Sequence, residues 1–417
     1  MRILWFSNAL FEKMDRGVTG TWLHAMSKGL TSSGKVELAN ITPGKVKSLV
    51  RQDYEQIKQW VVPFESVSKT TGLPGNRLVQ YYLDVIEEFK PDLIHVWGVE
   101  SFPALITSRY KHNIPSLLEI QGIAGIVAKY VDGGLSFGEI VRCIGLKELL
   151  LRSSIFQTKQ SYERWGYFEE EMIRNHQFIT VPSTWMLANV KFINSNATLF
   201  QNEIPLRKEF FQNIKWHFSD SKVILCSSSS PIPNKGFHVL IRALKLLRNV
   251  FPDIQLRIAG AHQFEGIRKN GYITWLNKLI QENGLESHVT WLGSLSSEQL
   301  IPELLNCSVM ALPSYVESYG VAHAEAMALG VPCVCAFNGG SSYLAENELT
   351  SLFFQAGDHV ICAHQIARLL TSKELAESIS VKAREKAIVR NDTNVIIAKQ
   401  IQIYEEVLIK SKQYSKD

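Results

Sequence analysis

The stretch PSYVESYGVAHAEAMALGVP, residues 313–332, holds two glutamates, Glu317 and Glu325, with seven residues between them. The run before it, VMAL (309–312), is short and apolar, as a buried strand is. Residues 313–320 are of loop type, and the Ala- and Met-rich residues 321–329 read as a helix that Gly330-Val331-Pro332 ends. Backbone N–H groups of Tyr319, Gly320 and Val321 then fall at a helix start, where no intrahelical acceptor exists. Such a start holds phosphate, and Gly320 lets a ligand approach the chain closely. Glu317 in the loop is placed to accept from sugar hydroxyls, and Glu325, about one turn into the helix, from a ribose diol. Taken singly, the two carboxylates read as a solvated loop group and a charge favoured by the helix dipole. The unit alone leaves that plainer reading open.

Working outward, short apolar runs alternate with helical segments along the whole chain. Residues 2–6, 93–97, 116–120 and 178–182 read as strands, with a helix from about residue 20, another over 104–109, and Ser183 as a helix N-cap. Residues 201–221 are mixed and polar. The alternation then restarts, with strands at 222–227, 253–259, 289–293, 308–313 and 332–336 and an amphipathic helix over 237–247. Alternation of this kind predicts an α/β fold, with parallel sheets covered by helices on both faces. The expected domains are 1–205, a linker at 206–221, and 222–390. A long helical tail, 391–417, can dock on either domain, including back on the first.

Bulk properties agree with two soluble-type cores. The chain has 417 residues, 46% hydrophobic and 20% charged, too long for one core and ordinary in polarity. Residues 1–217 carry 25 basic and 21 acidic side chains, and residues 218–417 carry 19 of each. An excess of four basic groups in the first half is too weak for nucleic acid and compatible with an anionic surface. Cys143, Cys226, Cys307, Cys333, Cys335 and Cys362 form no C-x-x-C pair and read as reduced core thiols of a cytoplasmic protein. The opening residues MRILWFSNALFEK read as a strand rather than a signal peptide, and no apolar run is long enough to span a membrane.

In open α/β sheets ligands meet the carboxyl ends of strands, and three more loops occupy that position. SSSSPIPNKG (227–236) offers hydroxyls, Ser230 among them, and Lys235, a point cation for a diphosphate. The loop 16–21 brings Gly17, Gly20 and Thr21 to the start of the first helix. Gly339-Gly340 reads as a turn beside a sugar pocket. A surface lysine and two plain strand-to-helix turns are the ordinary alternatives.

Taken together, NKGFHVLIRAL (234–244), IAG (258–260), VTWLG (289–293) and the 313–332 stretch resemble family 4 of the glycosyltransferases, with its two-domain GT-B architecture. The resemblance covers nearly the whole chain and is strongest over 222–358. DLIHVWGVESFP (92–103) and SLLEIQGIAG (116–125) are similar to bacterial enzymes that build surface polysaccharides. What the resemblance implies is two Rossmann-like domains facing each other across a cleft, and hexosyl transfer with retention of configuration from a nucleotide sugar to a saccharide or lipid-linked acceptor. It implies Glu317 on the donor sugar, Glu325 on the ribose and Lys235 on the diphosphate, with Glu317 and Lys235 as the catalytic pair. Gly20, Thr21, Ser230, Gly260, Ser318, Tyr319, Gly320 and Val321 complete the donor set. His95, Glu100, Gln121 and Gly122 are placed at the acceptor or sugar pocket, although a strand histidine such as His95 is more often packed in the core. No metal and no cofactor are expected. Two positions depart from the family: Ser230 stands where an Arg is common, and Gln121-Gly122 where a His-Gly pair is common. Gln121 hydrogen-bonds but cannot shuttle a proton, which leaves the departing phosphate to take it, or His95 as a substitute.

Residues 142–159 combine Arg142, Lys147, Arg152 and Lys159 with Leu149, Leu150, Leu151, Ile155 and Phe156. They read as an amphipathic helix, either packed on its domain or lying against anionic lipid on the inner face of the cell membrane. Two other functional classes stay open from the sequence. One is a nucleotide-sugar epimerase of the same architecture, and the other a non-catalytic sugar-nucleotide-binding module.

Overall fold

The computed structural model describes residues 1–12, 21–110, 113–228, 232–260 and 270–414, the side chains of Thr21 and Tyr414 excepted. The chain divides into two units. The first comprises Met1–Gly125, Glu163–Pro205 and Asn391–Asp417, and the second Ile126–Tyr162 and Leu206–Arg390.

The first unit is built on a sheet of β1 (Arg2–Phe6), β2 (Glu37–Gly44), β3 (Val50–Arg51), β4 (Lys58–Pro63), β5 (Leu93–Trp97), β6 (Ser116–Glu119), β7 (Phe178–Val181) and β8 (Thr198–Gln201). Their spatial order is β3-β4-β2-β1-β5-β6-β7-β8, parallel except for β3 against β4. Strands β1 and β5 are buried almost throughout, as expected of short Ile-, Leu- and Val-rich runs covered on both faces. Ser183 caps the helix Thr184–Ile193 by accepting from Met186 N, which fixes where that helix begins. The terminal helix Thr393–Tyr414 lays Ile396, Tyr404 and Val407 into the same core as Ile3 and Trp5.

The second unit carries β9 (Val223–Ser227), β10 (Gln255–Ala259), β11 (Val289–Gly293), β12 (Val309–Leu312), β13 (Cys333–Phe337) and β14 (Leu352–Gln355). Their order is β11-β10-β9-β12-β13-β14, and every pairing is parallel. The strand order reverses between β1 and β5 in one sheet and between β9 and β12 in the other, and loops at such reversals form ligand crevices. All six cysteines are buried and free.

Two expected boundaries are corrected. Residues 206–221 are not a free linker: Leu206, Phe210 and Trp216 are buried, and Trp216 Nε1 donates to Cys307 O at 2.7 Å. Residues 126–162, expected in the first domain, pack within the second unit. His238 Nε2 meets Gly133 O at 2.9 Å, and Gly271 N donates to Glu148 Oε1 at 3.1 Å. Nor do residues 142–159 form one amphipathic helix. They break into the end of Phe137–Arg142, the short helix Leu146–Leu150, a turn, and the start of Ile155–Asn175.

Candidate functional site

Lys235 and Glu317 lie on the loops that follow β9 and β12, the two strands flanking the reversal of the second sheet. Gly236 holds the first loop in a left-handed conformation (φ 72°), and a Cβ on it would stand 2.1 Å from Pro313 O on the second loop. Only glycine permits that approach. Tyr315 N donates to Asn234 O at 2.8 Å, lacing the loops together. The result is an ion pair, with Lys235 Nζ 2.6 Å from Glu317 Oε1. Both side chains are only partly covered, so a ligand can reach them.

The other side of Glu317 is also fixed. Gly340 N donates to Glu317 O at 2.8 Å, and a Cβ on Gly340 would meet Tyr319 O at 2.4 Å. Asn338 Nδ2 donates to Ser314 O at 2.7 Å, while its Oδ1 caps the next helix by accepting from Ser341 N. Gly339-Gly340, read from sequence as a turn, is in fact the first turn of the helix Gly339–Leu344. The helix Val321–Leu329 starts at Gly320 (φ 97°), three residues beyond Glu317, with no side-chain cap on its leading N–H groups. Tyr319 is buried, its ring 6.4 Å from that of Tyr343, and Ser318 and Val321 are half-buried.

Glu325 is buried in the same helix, and its carboxylate is gripped bidentately by Arg207, with Nε at 2.7 Å and Nη2 at 2.8 Å. Arg207 Nη1 donates to Ser297 Oγ at 2.9 Å, and its guanidinium lies over the Phe210 ring. Burial pushes the Glu325 carboxyl above its ordinary value, and the guanidinium offsets only part of that rise. Sequence reading assigned Glu325 to a ribose and overlooked Arg207. A diol arriving there would share an already paired carboxylate. His238, two residues beyond Gly236, packs against the second loop. It stacks on Tyr315 (6.1 Å, 18°), its Nδ1 is 2.8 Å from Tyr272 Oη, and burial pushes its pKa down to about 3. A neutral imidazole there is a structural bracket. Gly260 ends β10 at φ 93°, its N–H bonded to Gly293 O. Gly20 and Ser230 lie outside the described residues, as does the side chain of Thr21.

In the first unit, Glu100, Gln121 and Gly122 come together around Gly98. A Cβ on Gly98 (φ 104°) would be 2.2 Å from Glu100 Oε2 and 3.9 Å from Gln121 Cδ. Desolvation pushes the Glu100 carboxyl up to about 7, opposed by hydrogen bonds from the backbone of Glu100, Val99 and Gly122. The residue itself has solvent-exposed surface, so water moderates that rise. His95 does not join this group. It is wholly buried in β5, its ring 4.0 Å from that of Trp97, with Nδ1 2.7 Å from Tyr404 Oη. Burial holds its pKa well below the ordinary value, so it is a core histidine and no substrate-facing acid. Glu119 lies 3.8 Å from its Nε2, and burial pushes that carboxyl up to about 8.

Comparison with solved structures decides the architecture. Sucrose-phosphate synthase from Thermosynechococcus elongatus superposes with a TM-score of 0.73 over 98% of this chain and 99% of that one, at 17% identity. Anabaena HepE, solved in complex with UDP and glucose, gives 0.67 over 97% and 99%, at 16% identity. The fold is GT-B. Within this GT-B chain, residues 208–386 match the family described as Glycosyl transferases group 1. A phosphatidyl-myo-inositol mannosyltransferase from Mycobacterium leprae is 29% identical over 188 residues, 45% of this chain and 47% of the relative. A GDP-mannose-dependent alpha-(1-6)-phosphatidylinositol monomannoside mannosyltransferase from Mycolicibacterium smegmatis is 27% identical over 42% of this chain and 45% of the relative. The matches span about half the length of these relatives. The group 1 match contains Lys235, Glu317, Gly320 and Glu325.

Proposed function

We propose that the chain is a glycosyltransferase of family 4 that moves a hexose from a nucleotide sugar to a saccharide or lipid-linked saccharide, with retention of configuration. The observation that carries this reading is the Lys235–Glu317 pair on the two loops at the strand-order reversal, the second of which runs into the uncapped start of Val321–Leu329. The diphosphate sits on the leading N–H groups of that helix, and Lys235 turns its charge toward it. The bond from the anomeric carbon to the diphosphate oxygen breaks while the acceptor hydroxyl oxygen bonds to that carbon on the same face. The acceptor proton passes to the departing diphosphate oxygen. Lys235 and the helix N–H groups stabilise the negative charge that develops there, which lets the reaction proceed without a metal ion. Glu317 accepts from hydroxyls of the donor sugar and balances positive charge at the anomeric carbon. Glu325 holds the ribose together with Arg207. The acceptor is assigned to Glu100, Gln121 and Gly122 of the first unit. Assembly of bacterial surface polysaccharide or glycolipid, in the cytoplasm or at the inner face of the cell membrane, fits these assignments.

The test is a panel of nucleotide sugars, followed by release of nucleoside diphosphate with and without candidate acceptors and with a chelator present. One donor is expected to turn over, chelation is expected to leave the rate unchanged, and Glu317→Ala is expected to lower turnover by about 100-fold or more with an unaltered melting curve. Near-normal turnover by Glu317→Ala, or release of nucleotide with the free sugar epimerised and no transfer, contradicts the assignment.

A further inference from the structure

The loops that bring Glu100, Gln121 and Gly122 together rest on one face of the helix Ile155–Asn175, all within the first unit. That face holds a carboxylate. Glu169 is wholly buried on it, in register with Trp165 one turn earlier and with the buried Met172 and Ile173 one turn later. A helix that only had to pack would bury an apolar side chain at 169, as it does at 172 and 173, because a buried carboxylate costs stability unless its bonds compensate.

Both oxygens of Glu169 are committed to one loop. Ala124 N donates to Oε1 at 2.7 Å and Gly125 N donates to Oε2 at 2.8 Å. Burial lifts the carboxyl to about 7 and the Glu100 charge adds to the rise, while the two N–H groups hold it down. The two neighbours of this carboxylate on the helix grip the same region. Trp165 Nε1 donates to Val99 O at 2.9 Å. Gly166 lies against Gly125, where a Cβ on Gly166 would stand 2.8 Å from Gly125 Cα. The helix therefore holds the chain just after Gly98 and again just after Gly122, and the Gly122 backbone in turn bonds the Glu100 carboxyl between the two holds.

We propose that Glu169 is a positioning residue for the acceptor: with Trp165 and Gly166 it sets the spacing of the Glu100 and Gln121-Gly122 loops, and so where an acceptor saccharide is held, without touching substrate itself. The inference rests on the assignment of these loops to the acceptor under the glycosyl-transfer reading. Its force comes from the small tolerance of such supports, since a displacement of about 1 Å behind a site can cost on the order of 100-fold in rate.

The experiment measures transfer by the full chain with donor and acceptor varied separately, using the nucleotide sugar that turns over in the panel. E169Q leaves one accepting oxygen for two N–H groups and is expected to raise the acceptor KM about tenfold, with the donor KM and the release of nucleotide to water unchanged. G166A pushes on the same loop without altering charge and is expected to act in the same direction. W165F keeps a ring in place and loses only the donor to Val99 O. It is the mildest variant, is expected to give a smaller rise in acceptor KM, and keeps the test open if melting shows that E169Q or G166A does not fold. E170Q removes the same charge from the neighbouring exposed position and is expected to match the wild type. An unchanged acceptor KM in the folded variants, donor and acceptor constants that worsen together, or an equal effect of E170Q overturns the proposal. In each of those cases transfer by the wild type still upholds the glycosyl-transfer reading. A wild type that turns over no nucleotide sugar overturns that reading, and this inference with it.

Discussion

Glu119 and Glu317 show how position alone separates two carboxylates of one chain. Glu317 is paired with a lysine on a loop that water reaches. Glu119 is sealed in a strand 3.8 Å from a buried imidazole, and burial lifts its pKa from 4.5 to about 8. The folded chain therefore keeps a proton that the unfolded chain releases, and the stability tied to this group falls as pH rises from 4.5 toward about 8. Glu119→Gln removes that slope. The variant is expected to match the wild type at acidic pH and to exceed it by on the order of 5 kcal/mol at the alkaline end of the window. Denaturant unfolding across the window checks this, and parallel curves for the two proteins would contradict it. The same burial explains why His95 reads differently in sequence and in space. A histidine in DLIHVWG leaves a pocket open although a core is the commoner place for it, and the hydroxyl of Tyr404, 309 residues away, places it in the core.

At the scale of elements, the donor loops depend on glycines whose space is occupied by neighbouring backbone. Gly236→Ala would put a Cβ 2.1 Å from Pro313 O at a positive φ, so the loop carrying Lys235 must move. A loss of about 2 kcal/mol and a marked fall in donor affinity are expected, measured by urea unfolding and nucleotide titration. Gly138→Ala is the internal control. It lies in a helix with nothing within 4 Å of its Cβ position, and a gain of about 0.5 kcal/mol is expected. Equal effects of the two substitutions would show that the loop contact is unimportant. Much at this scale was legible: β12, the helix Val321–Leu329 and the cap at Ser183 follow from local signals, an apolar run, a glycine stop and a serine before an apolar helix. Strands β2 and β4 went unread, and Pro43 and Pro63 stand at or beside their ends. Arg207 was missed too. It belongs to a stretch with no apolar period, and its partner Glu325 lies 118 residues on.

At the scale of the molecule, neither unit is one continuous stretch of chain. The first is assembled from three segments and the second from two. Period and composition locate a boundary near residue 205, but they cannot show that 126–162 leaves the first unit, since its bonds to Gly271, Arg242 and His238 are all long-range. Of the expected donor set, the second unit holds Lys235, Gly260, Glu317, Ser318, Tyr319, Gly320, Val321 and Glu325, while the backbone of Thr21 belongs to the first unit. The central claim is that a nucleoside diphosphate docks on this unit at the start of Val321–Leu329. The most direct measurement is a crystal structure of the full chain with the nucleoside diphosphate that stabilises it most. The account predicts phosphate oxygens within hydrogen-bond reach of the Gly320 and Val321 N–H groups and of Lys235 Nζ, with Glu317 released from the lysine toward the sugar side. A nucleotide bound elsewhere, with the Lys235–Glu317 pair intact and the helix start unliganded, would contradict it.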